Sequence, residues 1–148
     1  MQPVHSEIEK VQSVVVRITH HIDAKQWPEL RALYAEVVET DYTSLGAPRA
    51  TEPADDLIAR WKKALGSVTT QHLLGPIDVS IHGNSARAEC HVRASHHAPG
   101  LAGGDTWIVI GHYGIDLIRL AETWQIAKMQ LLTFQQEGNT KLLEEVGK

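Results

Sequence analysis

From Ala86 to Ala94 every second residue is small and apolar. Ala86, Ala88, Cys90, Val92 and Ala94 fall on one phase; Arg87, Glu89, His91, Arg93 and Ser95 fall on the other. Period two is the period of a strand, so the first set faces a core and the second faces water. Extending that register puts His96 inward and leaves His91 and His97 outward. The alternation also runs beyond this segment. Between Val68 and Phe134 apolar residues mostly alternate, and turn signals recur at HGNS (82–85), APGLAGGD (98–105) and LAET (120–123). The pattern predicts four strands joined as a meander of hairpins. Such long strands require a curved sheet, and Gly75-Pro76 predicts a break or bulge in the first of them.

The chain before Val68 has a different period. Ile8, Val11, Val15, Ile18 and Ile22 are spaced three and four apart, which is one face of a helix. A second helix is expected from Trp27-Pro28, since proline suits a first helical turn; it carries Leu30, Leu33, Tyr34 and Val37. Val37 to Tyr42 is already partly extended in character. Leu45 to Ala54 reads as loop. Thr51 is positioned to cap a third helix, with Pro53 near its first turn, Leu57, Ile58, Trp61 and Leu65 inward and Gly66 as its stop. Asn139 to Val146 suits a short terminal helix. Helices first and a meander afterwards is the segregated order of an α+β fold.

At 148 residues, with 43% hydrophobic and 22% charged side chains, the chain reads as one globular domain spanning 1–148. A net charge of −4 gives no reason to expect nucleic acid or an anionic membrane as partner. No apolar run approaches the roughly 18–20 residues that span a bilayer. The start, MQPVHSEIEK, has an early glutamate and no apolar stretch, unlike a signal peptide. The single cysteine, Cys90, excludes an internal disulfide and fits a reducing, cytoplasmic compartment.

The inward face of the 86–96 segment holds three alanines and a cysteine. On a concave sheet these leave room either for a ligand or for a helix side chain. His72, in TTQHLLGPI, cannot be placed by counting, because Leu73 and Leu74 are both apolar and Gly75-Pro76 breaks the register. His112 alternates with Ile108 and Ile110, which predicts an inward position beside Asp116. Asp23 directly follows the apolar helix face; it sits at the helix end near the concave side or opens a solvated turn. Nine histidines prompt a metal reading, but the adjacent pairs His20-His21 and His96-His97 diverge in direction. No HExxH or CxxC pair is present, so no metal and no cofactor is expected. His5, His20, His21, His82, His91 and His97 read as surface residues. Cys90 reads as a small core residue, and Trp61, Trp107 and Trp124 as packing, with Trp107 near the mouth of any pocket. Trp107, Val109 and Ile115 are expected on an outer apolar patch that pairs copies of the chain into a homodimer or homotrimer.

The run HHIDAKQWPELRALYAEVVETDY, followed by TTQHLLGPI and CHVRASHH, resembles scytalone dehydratase. More broadly it resembles the SnoaL-like members of the nuclear transport factor two and ketosteroid isomerase superfamily, over roughly Val11 to Phe134. The resemblance implies a cone: a curved antiparallel sheet wrapped by helices, a cystatin-like α+β barrel with the active site inside. By position it implies that Asp23 and His72 are the family's paired aspartate and histidine, His96 a second pocket histidine, and Tyr42 a tyrosine polarising a substrate carbonyl. His112, Cys90, Val92 and Trp107 then line the pocket. Two departures stand out. Ile22 replaces a second tyrosine, and GHYGIDL places His112 and Gly114 where serine and asparagine would contact substrate. The acid–base set is kept and the specificity shell is not, so scytalone itself is not the expected substrate.

The function expected from this set is a cofactor-independent lyase or isomerase that dehydrates a small hydrophobic hydroxy-carbonyl compound, polyketide-like or steroid-like. His72 would be the base, Asp23 its orienting partner, Tyr42 the oxyanion donor and His96 the acid for a leaving hydroxyl. The alternative is a non-catalytic protein that binds a small hydrophobic molecule on the same fold.

Overall fold

The computed structural model describes residues 6–148; His5, expected at the surface, lies outside the described residues. Helix α1 (Glu7–Asp23) opens on Ser6, whose hydroxyl accepts the Glu9 N–H at 3.1 Å. Val11, Val15, Ile18 and Ile22 are buried on one face, as their spacing predicts. Ile8 departs from this and stays 46% exposed, because the first turn runs past the edge of the core. That turn is fastened instead by Glu7, which accepts the Trp124 indole N–H at 2.7 Å.

Helix α2 (Trp27–Arg31) is shorter than the three-and-four spacing suggests. Tyr34 does not continue it but begins strand β1 (Tyr34–Asp41), where Val37 points to solvent at 56% exposure. Pairing decides the outcome: β1 lies parallel to strand β7 (Thr123–Gly138) and antiparallel to strand β2 (Ala50–Pro53). A backbone with partners on both sides is better satisfied extended than as a short helix. Part of the expected 45–54 loop is therefore strand, and Thr51 pairs with Glu39 instead of capping a helix. Helix α3 (Ala54–Leu65) starts after Pro53 without a side-chain cap. Asp55 and Asp56 in its first turn and Lys62 and Lys63 in its last complement the helix dipole.

Gly75-Pro76 ends strand β3 (Thr69–Leu74), and the chain resumes as strand β4 (Asp78–His82). Both pair with successive stretches of strand β5 (Ser85–His97). With strand β6 (Thr106–Leu120), the result is one curved, unclosed seven-stranded sheet in the order β2-β1-β7-β6-β5-β3, with β4 beside β5. The α+β fold is as expected; the sheet is larger than a four-stranded meander because β1 and β2 join it and the Gly-Pro break makes two strands from one. Helix α1 packs on β3, β4, β5 and β7, and α3 on β1 and β2. A short helix α4 (Leu142–Val146) closes the chain and buries Leu142. No described helix is long and apolar enough to cross a membrane.

The pairing of β6 with β7 shifts register between Ile110 and Gly111. A side chain at Gly111 would run into the Leu132 carbonyl and come within 3.3 Å of Leu131 Cδ1. Gly111→Ala is therefore expected to cost about 1–3 kcal/mol, read as a lower urea midpoint; an unchanged midpoint contradicts this packing.

Candidate active site

Between the concave face of the sheet and helices α1, α3 and α4 lies a cavity of about 160 Å³. Its wall is drawn from every layer: Ile22 from α1, Trp61 and Leu65 from α3, His72 from β3, Val92, Ala94 and His96 from β5. Trp107, Val109 and Tyr113 of β6, Leu131 of β7 and Leu143 of α4 complete it with Tyr42, Leu45 and Ala64. The wall contains no lysine, arginine, aspartate or glutamate.

Asp23 is the last residue of α1. Its Oδ1 accepts the Thr70 hydroxyl at 2.8 Å and pairs with His72 Nδ1 at 2.7 Å, and its Oδ2 accepts the His72 backbone N–H at 2.9 Å. Burial works to raise this carboxyl, but the three hydrogen bonds outweigh it and hold Asp23 below the usual carboxylate range. An ionised carboxylate only accepts, so neutral His72 carries its proton on Nδ1. The other nitrogen, Nε2, has no partner among the described residues. Lys25, in a left-handed turn with φ 58°, reaches the same rim and lies 3.4 Å from the Thr70 hydroxyl.

His96 follows the same logic with a different partner. Its Nδ1 lies 3.0 Å from the Trp107 carbonyl, so it donates, and the ring stacks on Trp107 with centroids 4.3 Å apart. Burial pushes His96 down to about 4, against the hydrogen bond to Trp107 that would raise it. The imidazole is therefore neutral at neutral pH, with Nε2 an acceptor; the two histidine rings are 6.4 Å apart.

Tyr42 enters the cavity from the turn after β1. Asp41, beside it, accepts from the Thr43 N–H and hydroxyl, from Arg49 Nε and from Gln130 Nε2, which fixes that turn. The Tyr42 ring lies 6.3 Å from Trp61, and burial raises its phenol above the ordinary value, so it remains a protonated donor.

Of the expected pocket residues, Val92 and Trp107 line the cavity. His112 does not. It lies on the outer face of β6, 5.5 Å from the His91 ring. Both phases of β6 are apolar, and the buried one is Trp107, Val109, Tyr113, Ile115 and Leu117. The same phase excludes Trp107, Val109 and Ile115 from an outer patch; the outer face carries Leu132 and Phe134 instead. Cys90 is buried outside the cavity, with its thiol pushed up to about 11 by burial. The two readings of the small residues thus divide along β5: Ala94 borders the cavity, whereas Ala86, Ala88 and Cys90 pack in the core that α1 covers. Tyr113 was missed by counting within β6. Its cross-strand partner is Cys90, so the inward phase of β5 would have placed it. No group of three or more potential metal ligands gathers among the described residues.

A family model described as a SnoaL-like domain matches residues 4–130. Among solved structures, the Kfla4162 protein from Kribbella flavida superposes with a TM-score of 0.87 at 27% identity, covering 93% of this chain and 97% of that one. A candidate scytalone dehydratase from Novosphingobium aromaticivorans gives 0.78 at 19%, covering 89% and 87%. A candidate dehydratase of the NTF2-like family from Streptomyces avermitilis gives 0.75 at 14%, covering 87% and 97%. The last two likenesses are likenesses of fold. Among curated proteins, none matches the chain at a significant level.

His96 generates a pH dependence of stability. Unfolded, a histidine binds its proton near 6.5; folded, His96 does so near 4. Between these values the unfolded chain holds one more proton, so stability falls as pH drops through that window. The groups acting on His96 there are His72, Lys25 and Asp23. His96→Gln is expected to remove about 2–3 kcal/mol of the loss between pH 7 and pH 4.5 in urea unfolding. Equal losses in the two proteins contradict a neutral, buried His96.

Proposed function

The chain is a member of the SnoaL-like family, and on that footing we propose that it is a lyase, a dehydratase acting on a small, uncharged hydroxy-carbonyl compound with its own side chains alone. The observation that carries this reading is the 2.7 Å pair of Asp23 and His72 at the wall of an uncharged cavity, with His72 Nε2 left open. A carboxylate behind an imidazole fixes its tautomer and favours the cation that forms on proton capture. The dehydratase names of two structures on the same fold support the reaction class.

In this mechanism His72 Nε2 takes the proton from the carbon next to the substrate carbonyl. The C–H electron pair becomes the enolate double bond, and the charge moves to the oxygen, where Tyr42 donates. The carbonyl re-forms as the C–O bond to the hydroxyl on the next carbon breaks, leaving a conjugated enone. The departing hydroxide takes the proton from the His72 imidazolium and leaves as water, so the enzyme ends as it began. His96, neutral and already donating to Trp107, does not supply that proton. It accepts a hydrogen bond from the substrate hydroxyl and orients it, a change from the acid role that its position alone suggested.

The test separates proton removal from the leaving group. Propiophenone has the acidic carbon and no leaving group; its exchange of α-hydrogen for deuterium is followed by NMR. Its β-hydroxy derivative reports dehydration by the absorbance of the enone. Asp23→Asn and His72→Ala are each expected to slow exchange by about 10²–10⁴-fold with unchanged far-ultraviolet dichroism. Full exchange in either variant contradicts the dyad. Binding of both ketones without acceleration by the wild type makes the protein a binder.

A further inference from the structure

Tyr113 projects from the middle of β6 into the cavity that His72 lines, with Asp23 behind His72, and only 6% of Tyr113 is exposed. Its hydroxyl has no hydrogen-bond partner among the described residues. It is not sealed against apolar atoms either, because no described buried side-chain nitrogen or oxygen closed off from space lacks a partner. The hydroxyl therefore opens into the cavity. A buried phenol normally finds a partner, so one that faces the pocket without a protein acceptor is placed for a ligand acceptor.

The wall determines what that acceptor is. Tyr113 and Tyr42 carry the wall's two hydroxyls. Both imidazoles have their N–H engaged, by Asp23 and by the Trp107 carbonyl, and present acceptor nitrogens; the Trp107 indole donates to Gln136 at 2.8 Å. The polar wall is thus divided into two phenol donors and two imidazole acceptors. A carbonyl oxygen has two lone pairs for the donors, and a hydroxyl proton and an acidic C–H suit the acceptors. The phenols are close enough that charge on Tyr42 would raise Tyr113 further, and burial keeps Tyr113 protonated, hence a donor. A cavity of 150 Å³ holds about one benzene ring, the size class of this one at about 160 Å³.

We propose that Tyr113 is a second hydrogen-bond donor to the substrate's carbonyl oxygen, sharing it with Tyr42, and that the substrate is an uncharged carbonyl compound of a single ring. This deepens the dehydratase reading and rests on it for the identity of the reacting oxygen. It also narrows the substrate class: a four-ring, steroid-like skeleton does not fit inside.

The experiment uses propiophenone labelled with ¹³C at the carbonyl, bound to the full chain and read by its infrared C=O stretch. In the wild type the band is expected at lower frequency than in water, with Tyr113→Phe and Tyr42→Phe each moving it part of the way back. Loss of one neutral donor is expected to weaken binding roughly 2–10-fold. Tyr113→Phe should also slow α-hydrogen exchange by about 10²–10³-fold, with KM rising only by that roughly 2–10-fold loss of binding. Because the hydroxyl has no protein partner, Tyr113→Phe should keep the wild-type urea midpoint. His72→Ala serves as the separating control: it is expected to slow exchange by the same factor of about 10²–10⁴ and leave the band where it is, so failure of the base and failure of the donor are read apart. The proposal is overturned if the wild type does not bind propiophenone at millimolar concentration, or if the Tyr113→Phe band matches the wild type. A drop in the midpoint of Tyr113→Phe overturns it too, since the hydroxyl would then be structural.

Discussion

Asp23 ends helix α1 and gives its carboxylate three hydrogen bonds, all from β3: the Thr70 hydroxyl, the His72 backbone N–H and the His72 ring. Helix and edge strand meet 47 and 49 residues apart in sequence through this one group. The backbone bond matters as much as the ring bond. It sets the position of the His72 main chain relative to α1, so the imidazole is aimed by two anchors on one carboxylate. With the carboxylate ionised, the ring can hold its neutral proton only on Nδ1, and its lone pair is turned the other way. The chemistry proposed for the cavity depends on that constraint.

The surroundings make such an arrangement affordable in an apolar interior. Isolated buried polar groups are costly, and paired ones are not. Each buried histidine here has its N–H engaged, and Asp41, which fixes the turn bearing Tyr42, accepts four hydrogen bonds. The same burial that leaves the phenols protonated leaves His96 neutral. One physical cause, removal from water, thereby sets the tyrosines as donors and His96 as an acceptor. The cavity holds polar groups at defined places and no net charge on its wall, which suits a neutral substrate whose charge develops only during reaction.

Much of this was legible in the residues. The alternation of β5 was enough to place His96 inside and His91 and His97 outside, since one phase is small and apolar and the other polar. The α1 face and the α3 face were readable from spacing for the same reason. Where both phases of a segment are apolar, as in β6, periodicity carries no phase information: His112, expected inward, lies on the outer face, and Tyr113 takes the inner one. Only the pairing of Tyr113 with Cys90 resolves it. Tyr34 and Val37 failed differently: their spacing suits a helix, but distant partners in β2 and β7 compete for the backbone, and local sequence does not contain them. The Asp23–His72 contact is likewise a long-range fact. It was reachable through family resemblance and not through counting, because the Gly75-Pro76 break hides the register of β3.

The protonation of His72 tests the central claim most directly. With the protein labelled with ¹⁵N at histidine, two-bond ring correlations identify which nitrogen of neutral His72 bears the proton. The account predicts Nδ1–H with an unprotonated Nε2, and loss of that preference in Asp23→Asn. A neutral His72 with its proton on Nε2 would contradict it, because the nitrogen facing the cavity would then be a donor and could not act as the base.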